Sequence, residues 1–197
     1  MVSMNKLLVD KKEINIINEN KNIDLKLEKN SQLVINYYND SQESFDINIT
    51  EEEASNLIIN IASITDKDCK VNINVLITGN NNKCVINVRN ISKNGNSNFY
   101  VNVKSNENTK DNIIIEDLKG VLEDGTIDFL PILEIDTNEV EASHFATIGG
   151  FNQNEIFYLQ SKGLEYDECL KILKKAFIYK IFNKDFLNLL ERKRENE

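Results

Sequence analysis

Short stretches of alternating apolar and polar residues dominate the chain from Ile14 to Ile148. Most place an apolar, often β-branched residue at every second position, which is typical of a strand with one buried face. Bends rich in Asn, Asp, Ser and Gly separate them. The stretches are Ile14/Ile16, Ile23/Leu25/Leu27, Leu33/Ile35/Tyr37, Phe45/Ile47/Ile49, Leu57/Ile59/Ile61, Val71 to Ile77, Val85 to Ile91, Phe99 to Val103 and Ile113 to Ile115. The pattern predicts a mainly β body.

Two architectures fit the spacing of these strands, which recur about every 10 to 14 residues. One is a two-sheet antiparallel sandwich, and the other is a solenoid whose coils stack in parallel. Asn94-Gly95 is the only Asn-Gly pair of the kind that closes tight hairpins. The scarcity of hairpin turns favours the solenoid, although no strict repeat motif is visible.

The pattern changes to a helical one after Gly149-Gly150. Asn152 and Glu155 have the spacing of a capping box, with Asn152 as the N-cap of a first helix. Gly163 stands where a left-handed residue would end that helix.

A second and a third helix are predicted further on. The second extends from about Tyr166 to Phe182, with apolar residues at helical spacing, and Asp185 is expected to cap the third. The chain is therefore divided into a β body, residues 1–150, and a small helical domain, residues 151–197.

The charge of the chain excludes some classes of partner. The net charge is −9, and nine acidic residues face a single lysine between Glu116 and Glu141. Nucleic-acid binding needs clustered Lys and Arg for phosphate contacts, so a nucleic-acid partner is not expected. The abundance of Asn is interpreted as a coding bias.

Hydropathy and cysteine usage indicate a cytoplasmic protein without membrane contact. No apolar run approaches the length of about 20 residues that spans a bilayer, and the first ten residues lack the features of a signal peptide. Cys69, Cys84 and Cys169 show no metal-binding spacing, and an odd number of cysteines fits a reducing compartment. Cys69 and Cys84 are candidates for thiolates on neighbouring coils, or for small core residues; Cys169 is expected in the helical core.

Four motifs follow one another near the end of the chain. They are Pro131-Ile-Leu-Glu-Ile135, Val140-Glu-Ala-Ser-His-Phe-Ala-Thr-Ile-Gly149, Ile156-Phe-Tyr-Leu-Gln-Ser-Lys-Gly-Leu164 and Glu168-Cys-Leu-Lys-Ile-Leu-Lys-Lys-Ala-Phe177. In this order they resemble the C-terminal core of SufB/SufD proteins, over about a quarter of the chain. The Ser143-His144 form is similar to the SufD side of the family, which identifies the chain as a short SufD-like member.

The resemblance implies a right-handed parallel β-helix followed by a C-terminal helical domain. It also implies docking of a SufC-like ABC ATPase through that domain, and pairing of the β-helix with a SufB-like subunit or with a second copy as a dimer. Typical members are about twice as long, and Phe145 replaces their usual Gly. No cysteine stands close to Pro131, where SufB-type members carry an essential one.

His144 is the only histidine, and the resemblance places its position at a subunit interface where a cluster forms. It would ligate iron or relay a proton there. Glu139 and Glu141 would help to hold the metal, or would form a solvated acidic face. The alternative for His144 is an inward-facing side chain that is satisfied by a backbone carbonyl.

Aromatic and basic residues of the helical domain are candidates for partner docking. Their alternative is a helix–helix core with a solvated basic rim. The candidates are Phe157, Tyr158, Lys174, Lys175, Phe177 and Tyr179.

The sequence therefore predicts a non-enzymatic scaffold subunit of iron–sulfur cluster assembly, which shares a transient iron–sulfur cluster or iron with a partner. A β-solenoid that serves only as a binding or structural module is the alternative. A hexapeptide-type acyltransferase that uses His144 as general base is disfavoured, because no six-residue repeat is visible.

Overall fold

The computed structural model describes residues 12–41 and 44–195. Residues 1–11, which include the segment predicted to lack a signal peptide, lie outside the described residues, as do 42–43 and 196–197. Eleven strands precede three helices. The strands are β1 (Lys12–Ile17), β2 (Ile23–Leu27), β3 (Gln32–Asn39), β4 (Phe45–Glu51), β5 (Asn56–Thr65), β6 (Cys69–Ile77), β7 (Lys83–Ser92), β8 (Asn96–Ser105), β9 (Asn112–Leu122), β10 (Thr126–Ile135) and β11 (Val140–Gly149). The helices are α1 (Gln153–Ser161), α2 (Tyr166–Tyr179) and α3 (Lys184–Glu195).

The strands form two parallel sheets, and successive strands of the chain belong alternately to one sheet and to the other. Sheet A has the order β1-β3-β5-β7-β9-β11, and sheet B has the order β10-β8-β6-β4-β2. Every strand therefore pairs with the strand two places along the sequence, which is the connectivity of a solenoid. The predicted parallel β-helix followed by helices is confirmed, and the antiparallel sandwich is wrong.

Side chains alternate between the interior of the solenoid and its surface, and equivalent positions stack from coil to coil. Leu33, Leu57, Cys84 and Ile114 follow one another in register and are all buried. Sheet B contributes matching columns such as Phe45, Val71 and Phe99. This apolar interior explains why the strands carry Ile, Val and Leu at alternate positions.

An asparagine ladder lies on the outward face of sheet A. The Asn36 amide donates to Asn15 Oδ1, Asn60 to Asn36 Oδ1, and Asn87 to Asn60 Oδ1, each at 2.9 Å. Asn36 and Asn60 are nevertheless buried, at 0% and 5% exposure. Since buried amides need partners, the ladder satisfies them by repetition. The asparagines of the ladder therefore have a structural role, which the interpretation of the Asn content as a coding bias did not include.

The coils lengthen along most of the chain, and only the last step in sheet A, from Asn112 to Val140, is shorter, at 28 residues. Ladder partners are separated by 21, 24 and 27 residues in successive coils, and Asn82 and Asn112 in the following coil are separated by 30. The solenoid therefore tapers, with its narrow end at β1 and β2 and its wide end at β10 and β11. This explains why no fixed repeat is visible in the sequence.

Left-handed residues shape the corners that precede the strands of sheet A. Asn30, Ala54, Asn81 and Asp111 have φ between 55° and 62° and come just before β3, β5, β7 and β9. Asn and Asp tolerate this conformation because their side chains bond locally. The polar residues between the predicted strands thus turn the chain from one sheet to the other.

The first helix has the predicted ends. Asn152 Oδ1 accepts from the Asn154 N–H at 2.9 Å, and Gly163 has φ +92° just beyond the helix. The other two helices differ from the prediction. Helix α2 ends at Tyr179 rather than Phe182, because Phe182 turns to pack on Phe186 with ring centroids 4.4 Å apart.

The cap of α3 is two residues earlier than predicted. Asn183 Oδ1 accepts from the Phe186 N–H at 2.8 Å, whereas Asp185 lies inside the first turn. Asp185 is not the cap, but its negative charge in the first turn interacts favourably with the positive end of the helix dipole.

The helices cover one flank of sheet A. Phe186 and Leu190 of α3 are fully buried in a cluster with Tyr38 and Ala62 of the solenoid. Lys193 Nζ donates to the Ile17 carbonyl at 2.7 Å. The end of α3 therefore holds the first coils, although it follows them by more than 150 residues. Within the described part of the chain, no helix has the length and apolar character needed to cross a membrane.

Candidate functional site at the open end of the solenoid

The wide end of the solenoid is uncovered within the described residues. Strands β10 and β11 are the last strands of their sheets and have one unpaired edge each. Leu130, Phe145 and Ile148 are 53%, 57% and 42% exposed there. An edge with apolar side chains is a surface on which another strand can add, so the wide end is a candidate interaction surface.

His144 lies in the middle of β11, in register with Glu116 of β9. Paired residues in a parallel sheet point to the same face, and Glu116 points into the solenoid. His144 therefore has inward orientation, yet it is exposed because no coil follows. It makes no hydrogen bond with the described residues. The inward orientation of the alternative is confirmed, but no backbone carbonyl among the described residues accepts a hydrogen bond from His144.

Glu116 is the carboxylate that the solenoid places beneath His144. It is 0% exposed, and neither of its carboxylate oxygens has a hydrogen-bond partner among the described residues. Burial raises the pKa of Glu116 from 4.5 to about 8, because the charged form loses its hydration. The sequence contains a signal for this burial, since Glu116 has the same strand parity as Ile114 and Leu118, but its place in an acidic stretch suggests a solvated residue instead.

A second buried carboxyl lies deeper in the interior. Glu51, at the end of β4, is 0% exposed and accepts a hydrogen bond of 2.7 Å from Ser55 Oγ. Burial raises its pKa from 4.5 to about 7, while bonds from Ser55 and Cys84 act in the opposite direction. Burial also raises the pKa of the Cys84 thiol, and Glu51 and Glu116 add to this effect. Ionisable groups therefore extend from Glu51 at the end of β4, through Cys84 in β7, to Glu116 in β9 beneath His144.

The comparison with known proteins agrees with this architecture. A family model described as "SUF system FeS cluster assembly, SufBD core domain" matches residues 24–177, which include most of the solenoid and the first two helices. The chain belongs to the SufBD family. The resemblance found in its motifs is thereby confirmed, and membership of this family suggests a role in iron–sulfur cluster assembly.

Two SufBD relatives show how far the similarity extends. An iron-sulfur cluster assembly SufBD family protein of Archaeoglobus fulgidus is 42% identical over 62 residues, which are 30% of this chain and 17% of the relative. One from Mycobacterium leprae is 36% identical over 58 residues, or 29% of this chain and 15% of the relative. The matched segments thus cover less than a fifth of each relative.

The acidic residues predicted to accompany His144 lie elsewhere in this SufBD protein. Glu139 precedes β11 and forms an ion pair of 3.3 Å with Lys110. Glu141 is exposed and has the opposite parity to His144, so it points outward. Across residues 12–41 and 44–195, no group of three or more His, Cys, Asp and Glu side chains is arranged to hold a metal ion. Metal binding by His144, Glu139 and Glu141 stays a prediction.

The cysteines are buried free thiols. Cys69 opens β6 of sheet B, whereas Cys84 is the second residue of β7 in sheet A. Nearly the whole of β6 therefore separates them, and at about 3.3 Å per residue the two thiols do not form a pair. Cys169 is 0% exposed in α2, as predicted.

The predicted docking residues of the helical domain fall into two groups. Phe157 and Tyr158 are 74% and 60% exposed on α1, beside a groove lined by Leu159, Ile172 and Leu173. The remaining candidates make contacts within the chain. Lys174 pairs with Glu123, Lys175 pairs with Glu191 at 2.8 Å, and Phe177 and Tyr179 are partly buried against the solenoid. Docking through these residues stays a prediction.

Proposed function

We propose that this SufBD protein is a non-catalytic scaffold subunit whose wide end pairs with a SufB-like subunit or with a second copy of itself. The observation that carries the proposal is the pair of uncovered edge strands β10 and β11 with exposed apolar residues. Natural sheets cover or blunt such edges unless another chain adds to them.

Strand β11 is the better of the two edges for pairing. Pro131 interrupts the hydrogen-bonding groups of β10, since proline has no N–H to donate. Strand β11 contains no proline over its ten residues. A strand added to β11 would lie next to His144 and would cover Phe145, whose aromatic side chain provides a large apolar contact.

The charge of the wide end favours a basic or cationic counterpart. Acidic residues occur in β10, in the turn after it and in β11. They are Asp128, Glu134, Asp136, Glu139 and Glu141. Lys104 and Lys110 pair with Glu134 and Glu139 within the chain. A partner that brings positive charge, or metal ions held between the two chains, would balance the charge of the remaining acidic residues. Iron handled at this interface would be cargo of the assembly, with His144 as the exposed nitrogen ligand.

The helical domain would dock the ABC-type ATPase. Phe157 and Tyr158 present exposed aromatic surface next to the groove between α1 and α2. The hydrophobic cluster of α2 and α3 fixes this domain to the solenoid. A movement imposed by an ATPase on the helices would therefore be transmitted to the strands.

Co-expression with a SufC-like ATPase and a SufB-like subunit tests both contacts. The double variant Phe157→Ala/Tyr158→Ala is expected to lose capture of the ATPase and to retain pairing. The variant Leu130→Ser/Phe145→Ser is expected to lose pairing and to retain capture of the ATPase. Each double variant is therefore the control for the other. Affinity capture followed by size-exclusion chromatography measures both.

Failure of the wild-type chain to capture any ABC-type ATPase, together with a monomeric state at all concentrations, would contradict the scaffold role. The β-solenoid would then be a binding or structural module, which is the alternative. Capture that is unchanged in both double variants would show that the two surfaces are assigned wrongly.

A further inference from the structure

Glu116 is an unusual residue for the interior of this solenoid. The inward neighbours of Glu116 within β9 are Ile114 and Leu118, and both are 0% exposed. In the coil beneath, the residue in register with Glu116 is Ile86. A carboxyl group in such surroundings costs free energy unless it has a partner, and both of its oxygens lack one.

The residue above Glu116 is the only histidine of the chain. Adjacent strands of a sheet lie about 4.8 Å apart, so the two side chains start from neighbouring points of the same inward face. The His144 side chain is exposed and can be reached from outside, whereas the Glu116 side chain is buried beneath it.

The last coil also leaves room around this pair. The inward residues on either side of His144 are Ala142 and Ala146, whereas the equivalent positions of β9 carry Ile114 and Leu118. The imidazole is thus flanked by small side chains, whereas the carboxyl in the coil beneath is flanked by large apolar ones. The two alanines lie above Ile114 and Leu118, on either side of the position above Glu116 that His144 occupies.

We propose that Glu116 and His144 form a half-site for a divalent cation such as Fe²⁺ at the wide end of the solenoid. An imidazole nitrogen and a carboxylate oxygen are a donor set that borderline divalent cations accept. The described residues supply only these two ligands, so water or a paired chain completes the coordination. The inference rests on the proposed scaffold function and adds to it the carboxylate that shares the cation with His144.

Glu116 is a better partner for His144 than the carboxylates close to it in sequence. Glu141 points to the other face of β11, and Glu139 is paired with Lys110. Of these three carboxylates, only that of Glu116 lies on the same inward face as His144, in the adjacent strand.

Anaerobic titration calorimetry with Fe²⁺ on the purified, metal-free chain tests the half-site. Even outer-shell partners of a metal ligand change affinity by about 10- to 100-fold, so Glu116→Gln is expected to weaken binding by at least about tenfold. His144→Ala is expected to have an effect of the same size. The matched control Glu141→Gln removes a carboxylate from the outward face of the same strand and is expected to bind like the wild type.

A second variant tests the site without altering either ligand. Replacement of Ala142 and Ala146 by Leu crowds His144 from both sides at two exposed positions, and is expected to weaken Fe²⁺ binding while circular dichroism stays unchanged. Wild-type affinity in this variant, or in Glu116→Gln, would overturn the proposal, as would the absence of Fe²⁺ binding by the wild type.

The two proposals fail in different ways. Loss of the Fe²⁺ site with intact capture of the ATPase and the partner would leave the scaffold role standing. Loss of both captures in the wild type would contradict the scaffold role whatever the calorimetry shows.

Discussion

The buried carboxyl of Glu51 makes the stability of the fold depend on pH. Its pKa is about 7 in the folded chain, against 4.5 for an ordinary Glu side chain. The folded state therefore holds the proton more tightly than the unfolded state. It follows that the contribution of Glu51 is fully present below pH 4.5, decreases as the pH rises towards 7, and is lost above that value.

The size of the effect follows from the shift. One pKa unit corresponds to about 1.4 kcal/mol, so ionisation of Glu51 is expected to cost about 3 kcal/mol of unfolding free energy between pH 4.5 and pH 8. The variant Glu51→Gln cannot ionise, while its side-chain oxygen can still accept from Ser55 Oγ. It is expected to match the wild type near pH 5 and to exceed its stability by about 3 kcal/mol at pH 8.

Urea unfolding followed by circular dichroism at several pH values between 5 and 9 measures this difference. Titrating groups that do not interact with Glu51, including Glu116, contribute equally to both proteins and cancel in the difference. Glu53→Gln is the control, since Glu53 is exposed and paired with Lys29 at 3.0 Å. A wild-type minus Glu51→Gln difference that stays constant over the whole range would refute the reasoning.

Three further substitutions test the packing of the fold by the same urea assay. Asn60→Asp replaces the donor to Asn36 Oδ1 by a carboxylate in a buried ladder, and is expected to cost at least about 1–3 kcal/mol; Asn60→Ser at the same position should cost less. Phe186→Ala is expected to cost about 3–5 kcal/mol and to expose the helices to proteolysis before the strands. Gly95→Ala is expected to destabilise the fold by at least about 1 kcal/mol, since φ is +71° and an added Cβ would lie 2.4 Å from the backbone of Lys67. Its control is Gly163→Ala, which has open space around the added Cβ and should show only the cost of a positive φ.

Much of the fold could be predicted from local pattern. Alternation of apolar residues gave the strands, and the Asn152 cap with Gly163 beyond it gave the first helix. The paired neighbours of each strand could not be predicted from periodicity, because coils of 21 to 30 residues contain no constant repeat. The motifs of the family resolved the choice between sandwich and solenoid.

The candidate site could be predicted only in part. His144 was found from its motif, and its inward parity was apparent from β11 alone. Its exposure depends on the absence of a following coil within the described chain, which is a tertiary property. Glu116 escaped notice because 28 residues separate it from His144 in sequence, and only the register of β9 and β11 brings the two together.

The taper of the solenoid also restricts how copies of this chain can assemble. A rod with two equivalent ends can add further rods at both ends and grow into a filament. Here the narrow end offers strands of six and five residues, whereas the wide end offers ten and ten. The two ends are therefore poor templates for each other. Among the described residues, wide ends that meet face to face would give a closed pair, so the graded coil length would disfavour head-to-tail growth.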